Sequence, residues 1–222
     1  MNTTKLVILS LDDVLINPKN FLASIWTESL EKDFNLKISQ NHFSSKYFHL
    51  NALDTIRELS QAYGIKIPES YIMKAINPDL QKLFYDKMEL LEYSILCSSN
   101  LTTGSYKIAV YTKLQSTVAK KVLKKLELTD NIFYRHKTSP KGLDNNDLKK
   151  ICEQTSTHIQ DATLIASNLS DIKKANRFGI YCFGALELHK DNQHVINTIN
   201  KTADKIIESN ITLRPELACH FR

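Results

Sequence analysis

Apolar residues follow two different patterns along the chain, and the change from one to the other divides it. The segment Lys5 to Leu11, KLVILSL, is a nearly continuous apolar run that ends at Asp12-Asp13. A short run without polar alternation suits a strand buried on both faces, as in a parallel sheet. From about Pro18 to Leu96 the spacing turns helical throughout. Asn17-Pro18 reads as an N-cap with proline at the first helical position, and Phe21, Leu22, Ile25, Trp26, Leu30 and Phe34 then share one helical face. A second helix is predicted over Leu53 to Tyr63, stopped by Gly64, and Pro68 and Pro78 mark two further helix starts.

After Thr103-Gly104 strands and helices alternate. Strands are predicted at Lys107–Thr112, Asn131–Tyr134, Ala162–Ser167 and Ile180–Phe183. Helices are predicted at Val118–Leu128, Leu143–Glu153, Asp171–Phe178 (closed by Gly179) and Gln193–Glu208. Such alternation implies βαβ units and a parallel sheet. One strand precedes the helical block and at least four follow it. The chain therefore reads as a discontinuous α/β core, residues 1–16 and 97–222, with an all-helical insert at 17–96. Ligands of such sheets bind beyond the carboxyl ends of the strands. That directs attention to Ser10–Asp13, Thr112-Lys113, the loop around Lys141, and Ser167–Asp171.

Composition adds limits rather than direction. The 222 residues can bury one sizeable core plus a small insert. A formal charge of +5, supplied by dispersed lysines, reads as solvated surface and not as a nucleic-acid footprint. Four cysteines (Cys97, Cys152, Cys182 and Cys219) lack any CxxC spacing, so neither a zinc site nor a redox motif is implied. The seven histidines show no metal-binding spacing, and no stretch is long enough to span a membrane. The expected location is cytoplasmic, with secretion by a route lacking an N-terminal signal left open.

Four stretches, taken together, resemble the motifs of the haloacid dehalogenase superfamily, most of whose members are phosphatases. An apolar strand leads into Ser10-Leu11-Asp12-Asp13-Val14-Leu15, where the family has Asp-x-Asp-Gly-(Val/Thr)-Leu. KIAV leads into Tyr111-Thr112, matching the Thr or Ser that ends the second family strand. Pro140-Lys141 fits the family lysine best, with Lys137 as a second candidate. Ala166-Ser167-Asn168-Leu169-Ser170-Asp171 matches Gly-Asp-x-x-x-Asp. The resemblance implies a Rossmann-like core with a C1-type helical cap, as in phosphoglycolate-phosphatase-like and β-phosphoglucomutase-like members.

The same resemblance exposes two losses. Ser10 stands where the family has its nucleophilic aspartate, and Ser167 where it has an aspartate that binds Mg²⁺. Asp12 keeps the place of the general acid/base. Moving the register so that Asp12 becomes the nucleophile would put the acid on Val14, which transfers no proton. A carboxylate is already ionised at neutral pH, whereas a serine hydroxyl needs a base or a metal. Mg²⁺ prefers carboxylate oxygen. Asp12, Ser167 and Asp171 are therefore a weakened metal set, and no cofactor is expected beyond Mg²⁺ should activity remain. Thr112, Lys113, Lys141 and Ser10 could still cradle a phosphate without metal.

The reading is of a family member silent as a phosphatase that binds a phosphorylated small molecule or a protein partner. A hydrolase of small phosphate esters by altered chemistry and a structural subunit of a homo-oligomer are the alternatives. Asp13 reads as a turn residue, and Trp26, Phe34, Phe43, Tyr47 and Phe48 mostly as core of the insert. Lys113 and His136 are the polar residues to check for proximity to Ser10.

Overall fold

Branched aliphatic residues on both sides of LVILS leave that strand no face for water, so it must lie mid-sheet. The computed structural model describes residues 5–48, 50, 52–92, 94–95, 101, 106–130, 132–138, 142–190, 192–209, 212, 216–217 and 220. In it β1 (Leu6–Ser10) is fully buried and pairs in parallel with β4 (Lys107–Thr112) on one side and β6 (Ala162–Ala166) on the other. The six-stranded parallel sheet continues outward to β5 (Tyr134–Lys137), and to β7 (Tyr181–Ala185) and β8 (Lys205–Ile207), in the order β5-β4-β1-β6-β7-β8. The chain thus leaves β1 in both directions, which opens a crevice at its carboxyl end.

Helices cover both faces. Helix α6 (Ser116–Lys125) packs Val118, Val122 and Leu123 with Val7, Leu9 and Val110. On the other face α7 (Asn145–Gln154), α8 (Leu169–Arg177) and α9 (Gln193–Asn200) contribute Leu148, Ile151, Ile172, Ala175 and Ile199, against Leu6, Ile8 and Tyr111. Gly179 closes α8 with φ +89°, a conformation that costs glycine little. Near the C-terminus Leu217 joins the buried core, and His220 stacks on Tyr181 with ring centroids 4.1 Å apart.

Between β1 and β4 the chain forms a helical layer. It contains α2 (Lys19–Phe34), α3 (Gln40–Tyr47), α4 (Ala52–Tyr63), a 3₁₀ segment (Glu69–Ile76) and α5 (Pro78–Leu83). Trp26, Leu30, Phe43, Tyr47, Ile56, Leu59 and Tyr71 give it a separate apolar core. Helix α2 ends where Asn35 turns left-handed at φ 53°. One turn of helix, α1 (Leu11–Val14), joins β1 to this layer.

Four features differ from the sequence expectation. The insert is not helical throughout: Ile16–Asn17 (β2) and Glu89–Leu90 (β3) form a short antiparallel ribbon that ties its entry to its exit. The strand expected at Asn131–Tyr134 begins instead at Tyr134; Asn131 itself lies outside the described residues. The last helix stops at Asn200, and β8 forms where the helix was expected to continue. The segment beginning at Pro68 is a 3₁₀ helix, not an α-helix. Residues 96–100, which hold the expected boundary of the insert, and Cys97 and Cys219 lie outside the described residues.

Gly184 in β7 faces α9 so closely that an added Cβ would lie 2.4 Å from Ile199 Cγ2 and 3.0 Å from Ala203 Cβ. Gly184→Ala should therefore destabilise by roughly 1–3 kcal/mol through overpacking. Thermal denaturation reads this as a Tm several degrees lower, and an unchanged Tm would show that α9 shifts freely.

Candidate functional site

The strand order brings the ends of β1, β4 and β6 side by side, and with them Ser10, Thr112 and Ser167. Asp12 follows one residue into α1 and turns back toward β4. The Thr112 hydroxyl donates to its Oδ1, and the Lys113 amide donates to Oδ2 at 2.7 Å. The next amide, of Leu114, donates to Thr112 Oγ1 at 3.0 Å, and that of Gln115 to Gln81 Oε1 of α5 at 2.7 Å. Burial pushes the Asp12 carboxyl up from 3.8 to about 6, against the pull of the Lys113 amide and ammonium and of Thr112.

Asp171, in the first turn of α8, is 2% exposed, whereas Asp12 is half-buried. Its Oδ1 accepts the Leu143 amide at 3.1 Å, and its Oδ2 accepts the Tyr111 hydroxyl at 3.3 Å. Burial raises it from 3.8 to about 6; Lys113 opposes the rise and Asp13 adds to it. Gly142 makes this approach possible. Its φ is +84°, and a Cβ there would meet Asp171 Oδ1 at 2.4 Å. Tyr111 is itself buried, and its phenol is held protonated by burial and by Asp171, Asp13 and Asp12; the Ser10 hydroxyl in contact with it works the other way. Ser10, 2% exposed, thus faces the Tyr111 phenol.

Ser167, 1% exposed, lies 2.8 Å through Oγ from His189 Nε2, on the 3₁₀ turn after β7 (Glu187–His189). Asp13 is more than a turn residue. It raises the carboxyls of Asp12 and Asp171, and its own Oδ1 is buried without a hydrogen-bond partner.

A cavity of about 740 Å³ opens between these strand ends and the helical layer. Asp12, Asp13, Lys113, Ser167, Asn168 and His189 form its polar floor. Phe21, Trp26, Phe43, Tyr47, Phe48 and Ile72 form an apolar wall. Of the aromatic residues expected mainly as core of the insert, only Phe34 is off this wall. Ser10, Thr112 and Asp171 lie behind the floor and not on it. Lys141 is outside the described residues. His136 is turned away: its Nε2 is 2.7 Å from Asp147 Oδ1 on α7. Sequence reasoning missed Tyr111, His189 and the inward turn of Asp13. Only the position of Tyr111 directly before Thr112 could have signalled any of them.

The side chains expected to hold Mg²⁺, those of Asp12, Asp171 and Ser167, are all engaged by protein groups. Both oxygens of Asp12 and both of Asp171 already accept hydrogen bonds, and Ser167 is engaged by His189. Lys113 supplies positive charge to both carboxylates. Among the described residues no group of three or more His, Cys, Asp or Glu side chains could hold a metal ion. No helix among them is long and apolar enough to cross a membrane.

A family model described as haloacid dehalogenase-like hydrolase matches residues 7–185. No curated protein sequence matches the chain. Among solved structures, a predicted phosphatase from Clostridium acetobutylicum superposes with TM-score 0.75 at 17% identity, covering 98% of this chain and 99% of that one. A predicted phosphoglycolate phosphatase from Haemophilus somnus gives 0.72 at 16% identity, with the same two coverages. A hydrolase from Pseudomonas syringae gives 0.72 at 17%, covering 97% and 98%. At such identities the likeness is one of fold.

Two carboxyls with raised pKa values, Asp171 buried and Asp12 half-buried, make stability depend on pH. Below 3.8 both are protonated whether the chain is folded or not. As pH rises toward about 6 the unfolded chain releases these protons and the folded chain keeps them, so stability falls. The loss is complete above about 6 and amounts to roughly 3 kcal/mol per group. Asp171→Asn keeps an acceptor for Leu143 and removes one group. Its Tm should fall less than that of the unmodified protein between pH 4 and pH 7. Parallel curves would show that Asp171 is not held protonated by its burial.

Proposed function

The chain belongs to the haloacid dehalogenase-like hydrolase family, and from that premise we propose that it is silent as a phosphatase and works by binding an amphipathic small molecule under its helical layer. The observation that carries this is the position of Ser10. It stands where the family resemblance puts the attacking carboxylate, yet it lies behind the cavity floor against the Tyr111 phenol. A serine hydroxyl needs activation to attack, and the group in contact with this one is a protonated phenol, which is no base. In this reading the helical layer acts as a C1-type cap, and its aromatic wall selects the ligand.

The ligand's polar end meets the floor. Thr112 and the Lys113 amide, expected to cradle phosphate, are spent on Asp12, so they add nothing to anion binding. A phosphorylated ligand remains the second reading, favoured by the Lys113 ammonium on the cavity floor. Protein partners enter only as carriers of such a group.

Hydrolysis of p-nitrophenyl phosphate with Mg²⁺ tests the first half. The unmodified protein should be inert, and millimolar Mg²⁺ should leave its Tm unchanged. Ser10→Asp/Ser167→Asp restores two carboxylates, and its Tm should rise with Mg²⁺. Turnover by the unmodified protein that disappears in Asp12→Asn would overturn the proposal.

The chain's single tryptophan tests the second half. Trp26 is on the cavity wall, so its emission reports occupancy directly. Titration with an anilinonaphthalene sulfonate should quench it saturably, and Phe43→Ala should weaken binding several-fold. Quenching that never saturates would count against a ligand cavity.

A further inference from the structure

We infer that Ser167 and His189 form a nucleophile–base pair able to cleave a neutral carboxylic ester with an apolar acyl chain. The inference rests on the same cavity as the ligand site, but not on the fate of phosphatase chemistry. Ser167 directly follows β6 and His189 follows β7, and these strands are directly paired, with Ala166 opposite Gly184. The pair is therefore held by the sheet itself. His189 is fixed by a tight turn: its amide donates to Leu186 O at 2.8 Å, and the Leu186 amide donates to Ile207 O of β8 at 2.9 Å. Ser167 Oγ and His189 Nε2 are 2.8 Å apart, within the reach of proton transfer, and both residues line the cavity. Helix α8, nine residues long, begins at Leu169, two residues after Ser167; Asn168 Oδ1 already accepts the Ser170 and Asp171 amides of its first turn, so the helix end lends the site its dipole and not those two donors.

The chemistry balances with these groups and water. With its proton on Nδ1, His189 takes the Ser167 hydroxyl proton through Nε2 as Oγ attacks the ester carbonyl carbon. Collapse of the tetrahedral adduct breaks the carbon–oxygen bond to the alcohol, which leaves with that proton. Water then gives a proton to Nε2 and attacks the acyl carbon. Oγ regains the proton as the acid departs. Nothing is oxidised or reduced.

Charge chooses the ester class. Asp12 and Asp13 on the floor and Asp171 behind it repel a phosphate dianion, with Lys113 as the described cation facing them. A neutral ester avoids that repulsion, and Trp26, Phe43 and Phe48 offer its chain an apolar surface.

The test is labelling of the full-length protein with alkyl fluorophosphonates, located by peptide mass spectrometry. The adduct should sit on Ser167 and form faster with a dodecyl than with an ethyl chain. His189→Gln, with an unchanged circular dichroism spectrum, should label at least tenfold more slowly. Hydrolysis of p-nitrophenyl octanoate should be lost in Ser167→Ala. A folded protein with no adduct on Ser167, or one that labels equally well in His189→Gln, overturns the pair. An adduct whose rate ignores chain length overturns the apolar acyl chain. None of these outcomes depends on whether p-nitrophenyl phosphate is hydrolysed.

Discussion

Among the described residues, the carboxyl edge of the sheet withdraws more carboxylate from water than it has cations to balance, and the strand ends are arranged around that excess. Asp12 is half-buried and Asp171 is buried, and among the described residues each is compensated by hydrogen-bond donors instead of a counter-ion at contact distance. Buried charge must be paired, bonded or neutralised. Here the second and third solutions operate together, since both carboxyls are pushed up to about 6. Donors committed to these acids are unavailable to a ligand. Thr112, the Lys113 amide and the Tyr111 hydroxyl, all at the end of β4, are used in this way.

Much of the architecture was legible because burial writes itself into sequence. LVILS and ATLIA, with strands on both sides, are apolar on both faces, and their predicted limits differ from the observed ones by a residue or two. The sheet's edges were harder to read. Strand β5 is YRHK, polar enough to look like a loop, while the apolar Phe133 just before it is 55% exposed. An edge strand has one unpaired side and needs less apolar cover. Strand β8 has three residues and follows α9 closely, so the helical pattern appeared to run through it. The β2–β3 ribbon has two residues per strand, too few for any periodicity.

The site was legible to the extent that topology determines it. Ser10, Asp12, Thr112, Ser167 and Asp171 were identified from their places at strand ends, and strand order brought them together. Direction was not legible. Whether Thr112 faces a ligand or Asp12 depends on which partner has the greater unmet need, and a buried carboxylate outcompetes solvent. His189 is 22 residues from Ser167 and carries no motif; only the pairing of β6 with β7 makes them neighbours.

Decay and rewiring of a catalytic site leave different physical traces. When selection for chemistry is simply lost, substitutions accumulate without regard to the polar groups they strand, and buried atoms without partners collect. At these strand ends the two serines are matched. Ser10 meets a phenol that also serves Asp171, and Ser167 meets an imidazole. Gly142 still gives Asp171 the room it needs. Among the described carboxylates of the site, the one oxygen left buried and unbonded belongs to Asp13, at the cavity floor. An unmet bond there costs free energy that the matched serines beside it do not incur, so the described polar network is completed at the strand ends and left incomplete at Asp13.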